Sequence, residues 1–578
     1  MDKTLLTPGA IAAIEKKLAS GDDLPAIDGV HSRSLTRSGD VIYMVTDDGL
    51  LQLGGAAGAN GLSAPLWSDS SARQYLYPFG PTDRENIRAF AERIDRAFLP
   101  RPQRAEPAIA AGNRHPEVSL PAMFDAFHAI FDATGKNLAS TVQLSATREM
   151  TTDEDVAARD GSNPTAPGHT RVSIRHLYHA GLWAAIRSGY RGGYNAEADH
   201  FIVSGSDDTA LAKSVEWVKE AIRQAEGYTK FTTDTSRVFD LRADQRYPRA
   251  YSESEIDELF ERRLNPEERS WIQSAFARPF ACDNREYRFT AREVKWLAVK
   301  FGPSLKLNED LFDTISRVKA GAPFDFEPSL DEAETLTTPL ELIFYMHWLR
   351  ERGRPAQLVP PNLGFKKRQA YPETRQALAR YAAHKMWPEL IPQVDADFSG
   401  DPLAELQHRV ADLAGVARFF DGTLSIHSGS GKQAAVLASI GQATRGRLNY
   451  KISGELQLQL FDVLSEQPAG SPERALFDRM VAACERFAAA NAFAEESGLA
   501  EEYRSSRGAW LGNAARGRVD GNLFLVFWLG NMVGSRDSDG RFFKESLDHL
   551  PPAIVEETRR RNAAYIRWLA TNLFGAPA

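Results

Sequence analysis

The chain has 578 residues, 43% of them hydrophobic and 25% charged, which is typical of globular proteins with a sizeable core. Its formal net charge of −8 excludes a broadly basic surface, so we expect neither nucleic-acid binding nor attachment to a membrane. The two cysteines, Cys282 and Cys484, exclude a disulfide framework and a CxxC zinc site. The N-terminus lacks a continuous apolar run, and the apolar residues 523–532 fall short of the ~20 that a membrane span needs. These features predict a soluble, cytoplasmic protein.

Residues 1–139 are expected to form an N-terminal α+β extension. The run VIYMVTDDGLLQLGG has two strand-like halves around Asp47-Asp48-Gly49, a pattern that predicts a β-hairpin. Residues 83–98 have the spacing of an amphipathic helix, and the proline-dotted residues 99–121 are typical of a linker. The boundary of the extension is therefore predicted at residue 139.

Strand-like and helical segments alternate from residue 140 to residue 455. The strand-like runs include TVQLSAT, HFIVSG, KFTTDTS, TLSIHSGSG and RLNYKISG. Thr338 and Glu341 predict a capping box, with Pro339 at the first helical position. This alternation predicts an α/β fold with a (β/α) TIM-like barrel, although the roughly six evident strands leave closure of the barrel open. Residues 456–578 are expected to form a helical region that packs on the barrel.

Histidines and carboxylates lie at the ends of several predicted strands. Asp199 and His200 adjoin the strand FIVSG, Glu332 and Glu334 follow the run DFEPSL, and His427 ends the strand TLSI. A mixed set of imidazoles and carboxylates with open positions is suited to a catalytic divalent ion, with Zn²⁺, Mn²⁺ and Ni²⁺ as candidates. The alternative is that each residue is a helix cap, a turn acid or a hydrogen-bonded core residue.

The sequence GSGK at residues 429–432 follows a predicted strand and precedes a helix. It is not a P-loop, because that motif needs glycine where Ile426 stands and serine or threonine where Gln433 stands. A Gly/Ser-rich turn at a helix N-terminus, with Lys432 beside it, can still hold a carboxylate or phosphate. A flexible turn with a solvated lysine is the other interpretation.

Several segments resemble the tagaturonate epimerase family, whose members interconvert tagaturonate and fructuronate. The matching segments are residues 145–150 (SATREM), 165–169 (TAPGH), 192–200 (GGYNAEADH), 231–235 (FTTDT), 331–339 (DEAETLTTP), 424–432 (LSIHSGSGK) and 451–454 (KISG). The resemblance extends from about residue 140 to the C-terminus. It implies an isomerase of carbohydrate metabolism, active in hexuronate catabolism on a small anionic sugar.

The two sugar acids differ at a hydroxyl-bearing carbon β to the ketone, which a single proton abstraction cannot invert. Transient oxidation by a nicotinamide and retro-aldol cleavage with re-addition are the two remaining routes. No GxGxxG follows a strand with an acidic residue downstream, so no nicotinamide is predicted. Retro-aldol chemistry leaves an enediolate, whose charge a divalent metal stabilises.

Position and resemblance together imply a role for each candidate residue. The predicted metal ligands are His200, Glu332, His427 and Asp199. The predicted general acids and bases are Glu149, Asp234 and Glu334. The predicted substrate-binding residues are Arg148, Lys432, Lys451 and Ser428. Two other functions stay open: a metal-dependent aldolase or isomerase of another keto-sugar, phosphorylated or not, and a non-catalytic carbohydrate-binding barrel.

Overall fold

The computed structural model describes most of the chain. The described residues are 29–135, 137–145, 152–162, 170–247, 249–331, 335–366, 370–382, 400–452, 454–489 and 530–575, with the isolated positions 9, 11–14, 16, 27 and 333. Within this part, no helix combines the length and the apolar composition that crossing a membrane requires.

An antiparallel sheet opens the described chain. Its strands are β1 (Thr36–Ser38), β2 (Val41–Thr46), β3 (Gly49–Leu53), β4 (Trp67–Asp69) and β5 (Gln74–Tyr77), in the order β1-β2-β3-β5-β4. Thr46 pairs with Gly49, so Asp47 and Asp48 form the two-residue turn between β2 and β3. The hairpin predicted at this position is confirmed.

A parallel sheet of eight strands forms the centre of the molecule. Its strands are β6 (Ala108–Gly112), β7 (Ala139–Ser145), β8 (Tyr194–Ile202), β9 (Lys230–Asp234), β12 (Asp325–Ser329), β13 (Leu358–Val359), β14 (Thr423–Ile426) and β15 (Leu448–Ile452). The order is β12-β9-β8-β7-β6-β15-β14-β13, so consecutive strands of this set are neighbours. A separate two-stranded hairpin is made by β10 (Phe280–Cys282) and β11 (Arg285–Tyr287). The predicted α/β fold is confirmed.

The two terminal strands of the parallel sheet, β12 and β13, also contact each other. The backbone N–H of Gln357 donates to the carbonyl of Phe326 at 3.1 Å, and the N–H of Leu330 donates to the carbonyl of Pro360 at 3.0 Å. These bonds flank the two residues of β13 and join the sheet's two ends.

Helices cover the outside of the parallel sheet and dominate residues 454–489 and 530–575. The α-helices are Arg84–Ala89, Pro116–Thr134, Asp153–Ala158, Ile174–Ser188, Asp208–Gln224, Glu253–Arg263, Pro266–Ala275, Ala291–Lys319, Pro339–Glu351, Arg375–Ala382, Pro402–Phe419, Ala434–Ala443, Glu455–Ser465, Pro472–Ala489, Gly530–Met532, Phe543–Leu547 and Pro552–Phe574. The capping box predicted at Thr338 and Glu341 is confirmed, with Pro339 in the first turn of its helix.

The boundary predicted at residue 139 is wrong. Residues 108–112, assigned to a linker, form β6, which pairs with β7 on one side and β15 on the other. The helix Pro116–Thr134 then connects β6 to β7. The run AIAAG lacks β-branched bulk, and it forms a strand because both neighbours pair with it and bury its alanines.

A partly buried ion cluster links the C-terminal region to the helix that follows β6. Asp548 Oδ1 lies 3.0 Å from His115 Nε2 and 2.9 Å from Lys544 Nζ. Glu117 Oε1 lies 2.7 Å from His176 Nε2 and 3.5 Å from Lys544 Nζ. Burial opposes ionisation of Glu117, but the charges of Lys544 and His176 hold its pKa well below the usual range. We call these five residues the C-terminal ion cluster.

Replacing Glu117 with glutamine is expected to destabilise the fold by about 2 kcal/mol, because it leaves Lys544 short of a counter-charge. A carboxylate with a lowered pKa stabilises the fold above its unfolded pKa of about 4.3, and this contribution disappears as the pH falls through the folded pKa. Urea unfolding of wild type and variant at two pH values measures both effects. Glu466→Gln, which breaks a surface pair with Arg561, should cost under about 1 kcal/mol. Equal losses in the two variants would contradict the cluster's structural role.

Candidate functional site

Charged side chains lie on four of the parallel strands, three of which are adjacent in the sheet. Glu197 and Asp199 lie on β8, Lys230 on β9, Glu327 on β12 and Lys451 on β15, and all five are buried. Glu197 is paired with Lys230, and Glu327 is paired with Thr232, two residues after Lys230. Because side chains two apart on a strand share a face, these side chains lie on the same face of the sheet. With His200, Asp234 and His427, these residues form what we call the buried ionic cluster.

Lys451 lies at the centre of this cluster. Its Nζ is 2.5 Å from Glu197 Oε1, 2.7 Å from Asp199 Oδ1 and 2.5 Å from Glu327 Oε1. Burial disfavours its charged form, but the three carboxylates outweigh that effect and raise the pKa of Lys451. One ammonium therefore holds together two carboxylates of β8 and one of β12.

Lys230 provides a second cation against two of the same carboxylates. Its Nζ lies 3.1 Å from Glu197 Oε1 and 2.8 Å from Glu327 Oε2. Thr232, two residues further along β9, donates from its hydroxyl to Glu197 at 2.7 Å. Burial opposes ionisation of Glu327, but Lys230 and Lys451 keep its pKa well below the usual range. Glu327 is thus ionised between two lysines.

An irregularity in β8 brings His200 next to Asp199. The register between β8 and β9 shifts between Ala198 and Phe201, and His200 has a φ of +51°, in the left-handed region that few non-glycine residues adopt. Adjacent residues of a regular strand point to opposite faces, whereas here His200 Nε2 lies 3.8 Å from Asp199 Oδ2. The bulge therefore adds an imidazole to a row of carboxylates.

The carboxylates around His200 favour a positive charge at this position, which either protonation of the imidazole or a bound metal ion supplies. Its Nδ1 lies 3.7 Å from Oδ2 of Asp234, the last residue of β9. Burial lowers the pKa, but the charges of Asp199 and Asp234 outweigh it and raise the pKa of His200 to about 9. Asp234 Oδ1 in turn accepts hydrogen bonds from the backbone N–H and the hydroxyl of Ser236. Asp234 is therefore fixed in position and ionised.

His427, directly after β14, completes the cluster. Its Nε2 lies 2.8 Å from Glu327 Oε1, and its ring centroid is 5.0 Å from that of His200. Nδ1 is buried and forms no hydrogen bond with a described residue, its nearest carboxylate oxygen being Oδ2 of Asp331 at 3.6 Å. A buried ring nitrogen in this state has the capacity to bind a further group.

Within the buried ionic cluster, two sets of three residues have the spacing of a metal site. Asp199, His200 and His427 each offer a ligand atom, and these atoms lie within 4.8 Å of one another. Glu197, Asp199 and Glu327 also meet this condition, but the ammonium of Lys451 already lies against all three. The first set, with two imidazoles and one carboxylate, fits a divalent transition metal. His427 Nδ1 supports this fit because it is buried without a described hydrogen bond.

Four of the residues predicted to act in the site, Arg148, Glu149, Glu332 and Glu334, lie outside the described residues. Asp199, His200, His427 and Asp234 meet in the buried ionic cluster, and their metal-binding and acid–base roles stay predictions. Ser428 is half-buried beside His427, in the left-handed region at a φ of +55°.

The structure gives the present partners of two lysines predicted to bind the substrate, and their substrate-binding roles stay predictions. Three protein carboxylates surround the ammonium of Lys451. Lys432 directs its Nζ to the backbone carbonyls of Lys366, at 2.8 Å, and Ser430, at 3.2 Å. These two hydrogen bonds stabilise the turn after β14.

Three central members of the cluster, Glu197, Lys230 and Glu327, have no role predicted from the sequence. A signal for Lys230 was present, because four of the five residues of β9 (KFTTD) are polar. Alternate residues of a strand share a face, so Lys230, Thr232 and Asp234 place a row of polar side chains on one face, which indicates a polar interior. Which strands face one another across that interior could not be derived from one strand's pattern.

The fold and the cluster together define an α/β protein whose parallel sheet carries ionised side chains towards the carboxyl ends of its strands, where proteins of this class bind their ligands. The model of the tagaturonate epimerase family matches residues 168–366. The resemblance to this family predicted from the sequence is thereby confirmed.

Known proteins extend this similarity. The chain is 28% identical over 294 residues to a tagaturonate/fructuronate epimerase of Thermotoga maritima, and the match covers 50% of each chain. Crystal structures of the fructuronate-tagaturonate epimerase of Cohnella laeviribosi are similar in fold, with a TM-score of 0.66 for a glycerol complex and 0.65 for the native form. Each is 18% identical and covers 97% of this chain and 99% of its own. The chain thus spans about half the length of the curated relative it matches. The fold shared with the Cohnella laeviribosi enzyme covers nearly all of this chain.

Proposed function

We propose that this protein is a sugar-acid epimerase that interconverts tagaturonate and fructuronate, with a divalent metal bound by Asp199, His200 and His427. The observation that carries the proposal is the meeting of these three residues at the carboxyl ends of β8 and β14, next to a buried network of ionised side chains. The similarity to named epimerases of this activity supports the choice of substrate.

The scaffold of the proposed enzyme is a closed (β/α) barrel. The order of the eight parallel strands follows the chain, and the hydrogen bonds of Gln357 and Leu330 link the two terminal strands. In a closed barrel, β8, β9, β12, β14 and β15 all direct alternate side chains into one interior, which explains how residues from both ends of the sheet order reach Lys451.

The reaction inverts a carbon that carries a hydroxyl group and lies β to the ketone. In a retro-aldol route the hydroxyl loses its proton and the bond between the α and β carbons breaks. The β carbon becomes an aldehyde, and the ketone fragment keeps the electron pair as an enediolate. Rotation of the aldehyde, re-formation of the bond on its other face and return of the proton give the epimer. When bound, a divalent ion supplies positive charge that stabilises the oxygen anions.

The described residues contribute position and charge to this route. Asp234 holds His200 in place, and Lys451 holds Asp199 against Glu197 and Glu327 so that its second oxygen faces His200. A rigid, ionised surrounding of this kind is preorganised, because its dipoles and charges need not move when the substrate becomes charged. Proton transfer by Glu149 or Glu334 stays a prediction.

Metal analysis combined with a proton-NMR assay of tagaturonate and fructuronate tests the proposal. The purified full-length protein should contain about one divalent ion per chain and interconvert the two compounds. Treatment with a chelator should abolish turnover, and adding Zn²⁺, Mn²⁺ or Ni²⁺ should restore it.

The alternative outcomes separate the open functions. Interconversion that survives complete metal removal would keep the epimerase and overturn the metal site. Tight metal binding with cleavage of other keto-sugars would favour an aldolase or isomerase. Neither metal nor turnover would leave a non-catalytic carbohydrate-binding protein.

A further inference from the structure

A cavity of about 460 Å³ lies between the antiparallel sheet and the helices that cover the parallel sheet. Its walls include the hairpin turn at Asp47, the loop at Phe79, Trp183 and Arg187 of one helix, and Arg559 of the last helix. It shares no lining residue with the buried ionic cluster. Its volume falls within the range of small-molecule sites, which is about 300–1,000 Å³.

Two arginines without a close counter-charge enter this cavity. Among the described residues, no carboxylate forms an ion pair with the guanidinium of Arg187 or Arg559. Arg187 has only the face of Trp183, at 6.0 Å from the ring centroid. Arg559 donates one hydrogen bond, to the carbonyl of Glu117 at 3.4 Å, while its Nε is buried without a partner. Guanidinium groups in proteins normally form several charge-assisted hydrogen bonds, and these two leave most of their donors unused.

The electrostatics of the cavity disfavour both cations as they stand. Burial lowers the pKa of Arg187, and the charges of Asp125, Asp47 and Glu556 offset this only in part. Burial and the charge of Arg187 lower the pKa of Arg559 to about 10. Burial and Arg187 also lower the pKa of His31 to about 4, so this histidine is neutral near pH 7. A negative charge between the two guanidinium groups would relieve these costs.

The acidic residues that line the cavity are Asp47, Asp48 and Asp83, and none of them forms an ion pair with either arginine in the described structure. Asp47 is 72% exposed and lies 3.1 Å from His31 Nε2. Asp83 accepts a hydrogen bond of 2.5 Å from the backbone N–H of Gly80. Their carboxylates lower the net positive charge of the region, but they leave the donor groups of Arg187 and Arg559 free for a ligand.

We propose that this cavity binds a small metabolite through a carboxylate or phosphate group held between Arg187 and Arg559. The N–H groups along the edge of each guanidinium lie in one plane and suit two-oxygen recognition of either group. The indole of Trp183 and the ring of Phe79 supply an apolar wall for the remainder of the ligand. Because residues of the antiparallel sheet, an internal helix and the last helix all line the cavity, its ligand connects three parts of the chain.

Isothermal titration of the full-length protein with inorganic phosphate and with malonate tests this site. We expect one of the two anions to bind, and the double variant R187Q/R559Q to bind it at least about tenfold more weakly. Arg560→Gln is the matched control, since Arg560 is the next residue of the same helix, is 66% exposed and pairs with Glu557. Preference for phosphate would identify a phosphorylated ligand, and preference for malonate a carboxylic acid.

Thermal unfolding provides a second readout that a purely structural role would not produce. In anion-free buffer the double variant should melt at or above the temperature of wild type, because it no longer buries two poorly paired cations. Addition of the bound anion should raise the melting temperature of wild type and of R560Q alone. Binding of neither anion by wild type, or equal binding by the double variant, would overturn the proposal.

Discussion

Replacing Lys451 with methionine is expected to cost about 3–5 kcal/mol of stability and to abolish turnover. The substitution keeps the length of the side chain but leaves Glu197, Asp199 and Glu327 facing one another with Lys230 as the remaining nearby lysine. Breaking a buried ion pair by removing one partner has a cost of this order, because the other partner keeps its desolvation penalty. Urea unfolding and the proton-NMR assay measure the two losses.

The pH dependence of this loss distinguishes a charge effect from a packing effect. Without Lys451, the pKa values of the three carboxylates rise, so protonation replaces the missing positive charge as the pH falls. The stability difference between wild type and variant should therefore shrink towards acidic pH.

Lys319 offers a matched control for Lys451. Its Nζ donates to the backbone carbonyls of Glu226 and Tyr228 at 2.8 and 2.6 Å, and it contacts no carboxylate in the described structure. Lys319→Met should cost about 1 kcal/mol, with little dependence on pH below neutrality. A loss at Lys451 no greater than that at Lys319 would mean that the cluster does not depend on this ammonium.

Replacing His427 or His200 with glutamine is expected to remove the metal and to lower turnover at least about a hundredfold. Glutamine retains a polar group of similar reach but lacks the imidazole nitrogen that binds a transition metal. Metal content by mass spectrometry and kcat by proton NMR should fall together in both variants.

His347→Gln controls for the loss of a buried histidine as such. His347 is 2% exposed, packs against Phe276 and Phe280, and lies near the carbonyl of Ala275. This variant should lose stability but keep its metal and its turnover per folded molecule. Full metal content in H200Q and H427Q would refute the ligand assignment even if their turnover fell.

The local sequence determined the elements of this protein more reliably than their partners. The turn at Asp47 and Asp48 and the capping box at Thr338 and Glu341 follow from short-range preferences, which act within a few residues and are visible in one sequence. The alternation of β-branched strands with helices similarly indicates a parallel sheet. The segments around Asp199 and His427 were recognisable because a family resemblance supplied information that periodicity does not contain.

Tertiary structure alone decided which of these elements meet. The alanine-rich β6 has little intrinsic strand preference, and it is a strand because β7 and β15 pair with its backbone on both sides. The sequence predicts a substrate-binding role for Lys451, but it does not show that the folded sheet places three carboxylates from β8 and β12 against this lysine. Interactions between charges depend on distances of a few ångströms, and residues more than 120 positions apart in the sequence reach such distances here only through the folded sheet.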